Sequence, residues 1–398
     1  MSKVASRRLG DLITLKRGYD LPEKVRIVGP YPVISSAGIS GYHNEFKVEG
    51  AGVVTGRYGT LGEMYYVEGK YWPHNTALYV QDFKGNDPKY IYYLLSCLGR
   101  IRTSDKSAVP GVNRNELHEM EIPAISDPSV QIKVRKVLET VDKKIDLNNR
   151  INAELEAMAK TLYDYWFVQF DFPDANGKPY KTSGGKMVYN ATLKREIPAD
   201  WDDCTLEDLL SFKRGISYKS SEIKDVGIPF INLNSFTLSG DFKLSGTKYF
   251  DGEYKRDERI SPRDLVIAIT DVTRNADIIG KAFVVPDIFD EMPLMSCDVA
   301  SVSSEILGCG YLEQLFNSDS YHEYIKYYAS GTLVLHLNLN GIKWFKTYIP
   351  SANLLGKYEE YSVCLFKQRD LILKENIQLE SLRDWLLPLL MNGQVTVK

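Results

Sequence analysis

Two stretches of the chain carry apolar residues at a spacing of seven. In the first, Val134, Val141, Asn148, Leu155 and Leu162 recur in step, interleaved with Val137, Lys144, Ile151, Met158 and Tyr165. In the second, Leu365, Ile372, Leu379 and Leu386 alternate with Tyr361, Gln368, Glu375, Leu382 and Leu389. This spacing keeps one seam of a helix turned towards a partner helix. It predicts long helices over 126–170 and 353–398 that pair with each other. Asp127 followed by Pro128 supplies a capping carboxylate and a residue suited to the first helical position. Pro388 is expected to end or kink the second helix. The polar seam residues Lys144 and Asn148 would fix the register at some cost in stability. One short heptad run also suits an ordinary amphipathic helix on a domain core. Two runs, each closing a similar stretch of sequence, favour an intramolecular coiled coil.

Those similar stretches form an internal repeat. Leu9 to Gly18 reads LGDLITLKRG, and Leu206 to Gly215 reads LEDLLSFKRG, at an offset of 197. Pro32-Val33-Ile34 and Pro229-Phe230-Ile231 keep that offset. Strand-like runs follow in both halves, at 51–56 and 264–269, then at 62–67 and 280–285. The halves close on Ile122-Pro123 and Ile349-Pro350. The expected fold class is α+β: two similar globular α/β domains, 1–125 and 205–352, separated by long antiparallel helices and related by a pseudo-two-fold. Pro, Gly and Asn punctuation marks 171–204 as a connector. The aromatic run from Tyr163 to Phe172 is too apolar to stand free in water. In each half a Lys-Arg pair precedes a glycine, which is expected to free the backbone at a turn.

Charge alone does not suggest a nucleic-acid binder. The net charge is -3; residues 1–125 hold 16 Lys+Arg against 13 Asp+Glu, and residues 171–352 hold 20 against 26. No apolar run approaches the ~20 residues of a bilayer span, and no apolar core of a secretory signal follows the N-terminal basic residues. Five scattered cysteines without a CxxC pair fit reduced thiols in a cytoplasm. Phosphate-loop, GxGxxG and HExxH patterns are all missing, and the five histidines are dispersed. A metal-dependent nuclease needs a carboxylate followed by Glu-x-Lys to hold its cation. Asp241 with Glu253-Tyr254-Lys255 has that form, but four Glu-x-Lys occurrences make the pattern weak. What remains is a set of side chains suited to binding. Arg57, Tyr58 and Thr60 lie among glycines in the first half, and Thr270, Thr273, Arg274 and Asn275 occupy the matching stretch of the second. Arg and Asn can read guanine and adenine edges, while hydroxyls and cations grip phosphate. Because Lys16, Arg17, Lys213 and Arg214 repeat between the halves, they suit phosphate contacts or domain framing. The dissimilar loops at Arg57 and Arg274 suit the reading itself.

Several segments go further. They are the Thr161 to Pro173 run (TLYDYWFVQFDFP), the Lys194 to Trp201 run (KREIPADW), the paired KRG stretches, and Ser107 to Asn113 (SAVPGVN) followed by Leu117 and Ile122-Pro123. With these the chain resembles, over essentially its full length, the specificity subunit of type I restriction-modification systems. In the second half Ser330 to Asn338 (SGTLVLHLN) stands where SAVPGVN would recur. The resemblance implies two target-recognition domains reading a bipartite double-stranded DNA target, with Ser107, Asn113 and Thr332 added to the candidate contacts. It implies a catalytically silent cytoplasmic chain whose helices dock two modification subunits and two restriction subunits. S-adenosylmethionine, ATP and Mg would belong to those partners, with no cofactor or metal in this chain. A specificity subunit of a fused methylase-nuclease of the type IIB kind, a protein-only coiled-coil scaffold and a metal-dependent nuclease stand as alternatives.

Overall fold

The computed structural model describes residues 4–57, 63–98, 113–273 and 275–397. The chain folds as two compact units. The first comprises Met1–Leu147 with Asn376–Lys398, the second Asn148–Glu375. Each long helix is thus divided between the units.

The first unit has two four-stranded sheets. One is ordered Thr14–Arg17, Ala77–Asp82, Gly52–Gly56, Met64–Val67; the other Gly38–His43, Tyr31–Ser35, Lys70–Pro73, Val48–Glu49. A ribbon of Val4–Arg8 against Glu121–Ile125 closes it. The second unit repeats the plan. Its first sheet runs Ser211–Arg214, Val299–Ser303, Leu265–Ala268, Ala282–Val284, its second Ile223–Lys224, Lys248–Phe250, Ile228–Ile231, Leu294–Met295. Asp202–Thr205 pairs with Lys346–Ile349 as the equivalent ribbon. Even the parallel pairings correspond, Val33 with Trp72 and Phe230 with Leu294. The repeat read from the sequence is therefore a repeat of topology.

The first long helix spans Pro128–Tyr163 and continues as a π-helical turn over Asp164–Val168. Asp127 caps it, accepting from the Ser129 amide at 2.8 Å, and these bonds hold its carboxyl below the usual carboxylate range. The second long helix spans Ala352–Met391 and passes through Pro388 to end three residues later. Within the first unit Arg383 lies 3.3 Å from Asp142. Within the second, Asn148 donates to Glu375 at 2.8 Å, and the Tyr358 hydroxyl donates to the Ala159 carbonyl at 3.4 Å. One number rises as the other falls, so the helices run antiparallel inside each unit.

The seam differs from the expected one by a single residue. Val134 and Asn148 are buried, with Val141, Leu155 and Leu162 half-buried, as the first register required. The second inward register is Leu138, Ile145, Asn152 and Ala159, whereas Ile151, Met158 and Tyr165 are exposed. The other helix repeats the displacement. Leu365, Ile372, Leu379 and Leu386 are half-buried, but Ser362, Arg369 and Asn376 are buried where Tyr361 and Gln368 are exposed and Glu375 is half-buried. In the second helix these inward residues are polar, with Ser362 and Arg369 hydrogen-bonded, so an apolar pattern cannot show them.

The segment read as a connector is also structured. Met187–Asn190 and Arg195–Pro198 form a hairpin. Phe167, Phe170 and Trp201 are buried in the core of the second unit beside Tyr311 and Tyr358. Apart from the exposed Tyr165, the Tyr163–Phe172 aromatics thus find their cover within their own chain.

Candidate nucleic-acid interface

The Lys-Arg pairs end a strand, not a turn. Arg17 is registered with Leu78 and Arg214 with Ala300. The glycines that follow do not have positive φ; they are required by close approach. A Cβ on Gly18 would lie 2.1 Å from the His74 carbonyl oxygen, and one on Gly215 would lie 2.2 Å from that of Ser296. One residue on, the Tyr19 amide donates to Pro73 and the Ile216 amide to Met295, both at 2.8 Å. The pair of cations is thus pinned at the same framework point in each unit. Lys16 sits 5.5 Å over the Tyr19 ring, Arg17 is exposed 3.7 Å from Asp20, and Lys213 and Arg214 are exposed. Gly215→Ala is expected to destabilise the second unit by about 1–3 kcal/mol, the usual cost of forcing extra volume into a packed site. Urea unfolding of the full-length variant measures it.

The reading loops divide more sharply. Tyr58, Thr60, Ser107 and Arg274 lie outside the described residues. Arg57 follows the Gly52–Gly56 strand, its amide bound to the Thr76 carbonyl at 2.9 Å. Thr270 has no surface to offer, being 4% exposed and donating to Asp298 at 3.0 Å. Its neighbour Asp271, which the sequence reading passed over, organises the loop. Its buried carboxylate accepts from the amides of Thr273 (2.6 Å), Ile278 (2.6 Å) and Ile279 (2.9 Å). That loop presents Asn275 to solvent, while the Thr273 hydroxyl accepts from the Asp277 amide at 2.8 Å.

A second hairpin joins this loop. Ala329–Ser330 pairs with Leu335–Leu337, which pairs with Thr270–Asp271, leaving Thr332 exposed at the hairpin tip. Beyond it Asn338 caps a short helix by accepting from the Asn340 amide at 3.1 Å. In the first unit Asn113 caps the helix Arg114–Glu119 in the same way, accepting from Asn115 at 3.0 Å. Asn338 was legible only as the last residue before a short helix leading to Ile-Pro, the same context as Asn113.

The nuclease candidates hold structural bonds. Asp241 accepts from Ser239 at 2.5 Å, and the Lys255 amide donates to Glu258 at 2.6 Å. Among the described residues no three His, Cys, Asp or Glu side chains gather as a cation would need. No helix among them is long and apolar enough to cross a membrane.

The second unit also encloses a cavity of about 590 Å³ lined by Glu156, Asp241, Lys281, Glu313 and Arg369. Glu313 and Arg369 are 6% exposed and 3.7 Å apart. Burial, then the Asp241 and Glu313 charges, push the Glu156 carboxyl up to about 7, against the pull of Arg369. Burial likewise raises Glu313 despite the guanidinium beside it.

This duplicated framework is similar to that of known DNA specificity proteins. Residues 1–157 match the family described as the type I restriction modification DNA specificity domain. The chain is 25% identical to the type I restriction enzyme MjaIX specificity subunit of Methanocaldococcus jannaschii, over 80% of this chain and 73% of that one. It is 22% identical to the HindI specificity subunit of Haemophilus influenzae, over 77% of each. The crystal structure of the type I restriction-modification S subunit from M. genitalium has the same fold, with a TM-score of 0.53 at 17% identity over 98% of this chain and 96% of that one. The chain is thus similar to type I restriction-modification specificity subunits over most of its length, and its first 157 residues match the specificity-domain family.

Proposed function

We infer that this chain is the DNA-reading subunit of a type I restriction-modification complex and that each unit reads one half of a bipartite target. The observation that carries this reading is one topology built twice, with the cations after Thr14 and Ser211 at the same strand position and the sequences beyond Gly56 and Thr270 unlike. Agreement suits phosphate grip and divergence suits two different half-sites. The paired helices dock modification and restriction subunits, which hold S-adenosylmethionine, ATP and Mg. In support, the second unit carries an apolar groove lined by Met158, Leu162, Tyr165, Tyr361 and Leu365, with Met158 57% exposed. Such a surface marks a place where proteins meet.

Sequencing the methylome of a host with and without the gene tests the assignment. A split adenine-methylation motif that disappears with the gene is expected; an unchanged methylome refutes it. At finer scale, Arg57→Ala should weaken recognition of one half-site by about 1–3 kcal/mol, as for an arginine bidentate to a base. Binding to duplexes altered in one half-site at a time measures this. A loss spread evenly over all sequences would assign Arg57 to phosphate.

A further inference from the structure

The second unit holds a run of sequence unlike the rest of an otherwise acidic chain. Between Glu323 and Glu359 there is no acidic residue, in a chain with 52 Asp+Glu, and Lys326, Lys343, Lys346 and Lys357 fall inside it. The centre of this run is the 329–337 hairpin. Its tip is unusual for a surface turn, because Leu333 is 88% exposed and Val334 beside it 38%. Val272, on the neighbouring loop that starts from the same three-stranded sheet, is 64% exposed. At the hairpin base Tyr327 is 88% and Trp344 46% exposed.

The tip is displayed by a fixed support. Gly331 has a φ of +144°, and a Cβ there would meet the Val334 carbonyl oxygen at 2.0 Å, so the turn closes tightly. The Leu337 amide donates to Ile269 at 2.9 Å and the Asn338 amide to Tyr328 at 3.0 Å. The Asn338 side chain is held as a helix cap. A two-stranded ribbon fits a major groove about 12 Å wide, and an apolar side chain there meets the thymine methyl group. Lysines in a stretch of sequence without acidic residues favour a polyanion beside it.

We propose that the 329–337 hairpin of the second unit enters the DNA major groove and that Leu333 reads a thymine through its 5-methyl group. Thr332 and Asn275 flank this contact as polar readers, and Lys326 and Lys343 face the phosphates. The proposal rests on the reading of the chain as a DNA-specificity subunit and names the contact by which one half-site is read.

The test uses the complex of this chain with its modification subunits and duplexes in which each target thymine is replaced in turn by deoxyuridine, which lacks the methyl. One replacement should weaken binding by the wild-type complex about fourfold, the worth of one buried methyl group. Leu333→Ala should weaken binding to the natural duplex at least as much and respond no further to that replacement. At 88% exposure the side chain has no folding role to lose. Unchanged binding by Leu333→Ala overturns the proposal, and so does a weakened variant that still responds to every deoxyuridine as the wild type does. A wild-type complex that binds no target duplex overturns both this contact and the DNA-reading assignment.

Discussion

Replacing Arg369 with alanine should cost the second unit about 3–5 kcal/mol, the range found when one partner of a buried ion pair is removed. The guanidinium is 7% exposed, lies 3.7 Å from Glu313 and donates to the Val284 carbonyl at 2.9 Å. It also stacks 5.1 Å from the centre of the Phe366 ring. Its sequence neighbour Asp370 is equally buried and is held by Arg263 at 2.6 Å and by the Asp287 amide at 3.0 Å. Without Arg369, Glu313 loses the guanidinium beside it and is left buried in a cavity it shares with Glu156 and Asp241. The penalty is then desolvation rather than the lost attraction, so a second substitution should recover part of it. Glu313→Gln in the Arg369→Ala background is expected to be more stable than Arg369→Ala alone. Urea unfolding of the three proteins measures this, and a single-variant loss below about 1 kcal/mol would show that the charges are not buried as described.

Glu156 should make the stability of the same unit fall as pH rises. Its carboxyl titrates at about 7 in the folded chain against an ordinary 4.5. Below 4.5 both folded and unfolded forms are protonated and the group contributes nothing. Between 4.5 and 7 the unfolded chain releases its proton while the folded chain retains it, so unfolding gains at up to about 1.4 kcal/mol per pH unit. The accumulated loss is roughly 3 kcal/mol and levels off above pH 7. His322 acts in the opposite direction over part of this range. Burial and the Lys281 and Lys326 charges lower it to about 4, so its contribution to stability rises as pH climbs from 4 towards 6.5. The clean readout is therefore the difference between wild type and Glu156→Gln at each pH. That difference should grow from pH 5 to 8 in favour of the glutamine variant; a flat difference would place Glu156 in solvent.

How much of this was legible in the sequence depends on whether the deciding contact is local. The helices at Pro128 and Ala352 were, because their seams recur every seven residues. The repeated topology was, because LGDLITLKRG and LEDLLSFKRG open equivalent strands. The second register of the seam was not. Asn152, Ser362, Arg369 and Asn376 face inward although they are polar, while the apolar Ile151, Met158 and Tyr361 face out. The purpose of Gly18 and Gly215 was hidden for a similar reason. The carbonyls that forbid a side chain there belong to His74 and Ser296, 56 and 81 residues away. At the candidate site the sequence supplied residue types and could not supply their availability. Thr270 is occupied by Asp298, and the residue that shapes the loop, Asp271, resembles any other aspartate until its three amide donors are in place.

The chain order of the two units bears on how the protein is made. Leu390 and Met391 are 1% and 2% exposed within the core that also holds Leu9, Tyr90 and Val134. The first unit therefore remains incomplete on the ribosome until Met391 has emerged, whereas every residue of the second, Asn148–Glu375, is available earlier. The unit that begins first is the one that can finish folding last. Messages cut short beyond Glu375 within the Ala352–Met391 helix would yield a complete second unit attached to an unsealed first one.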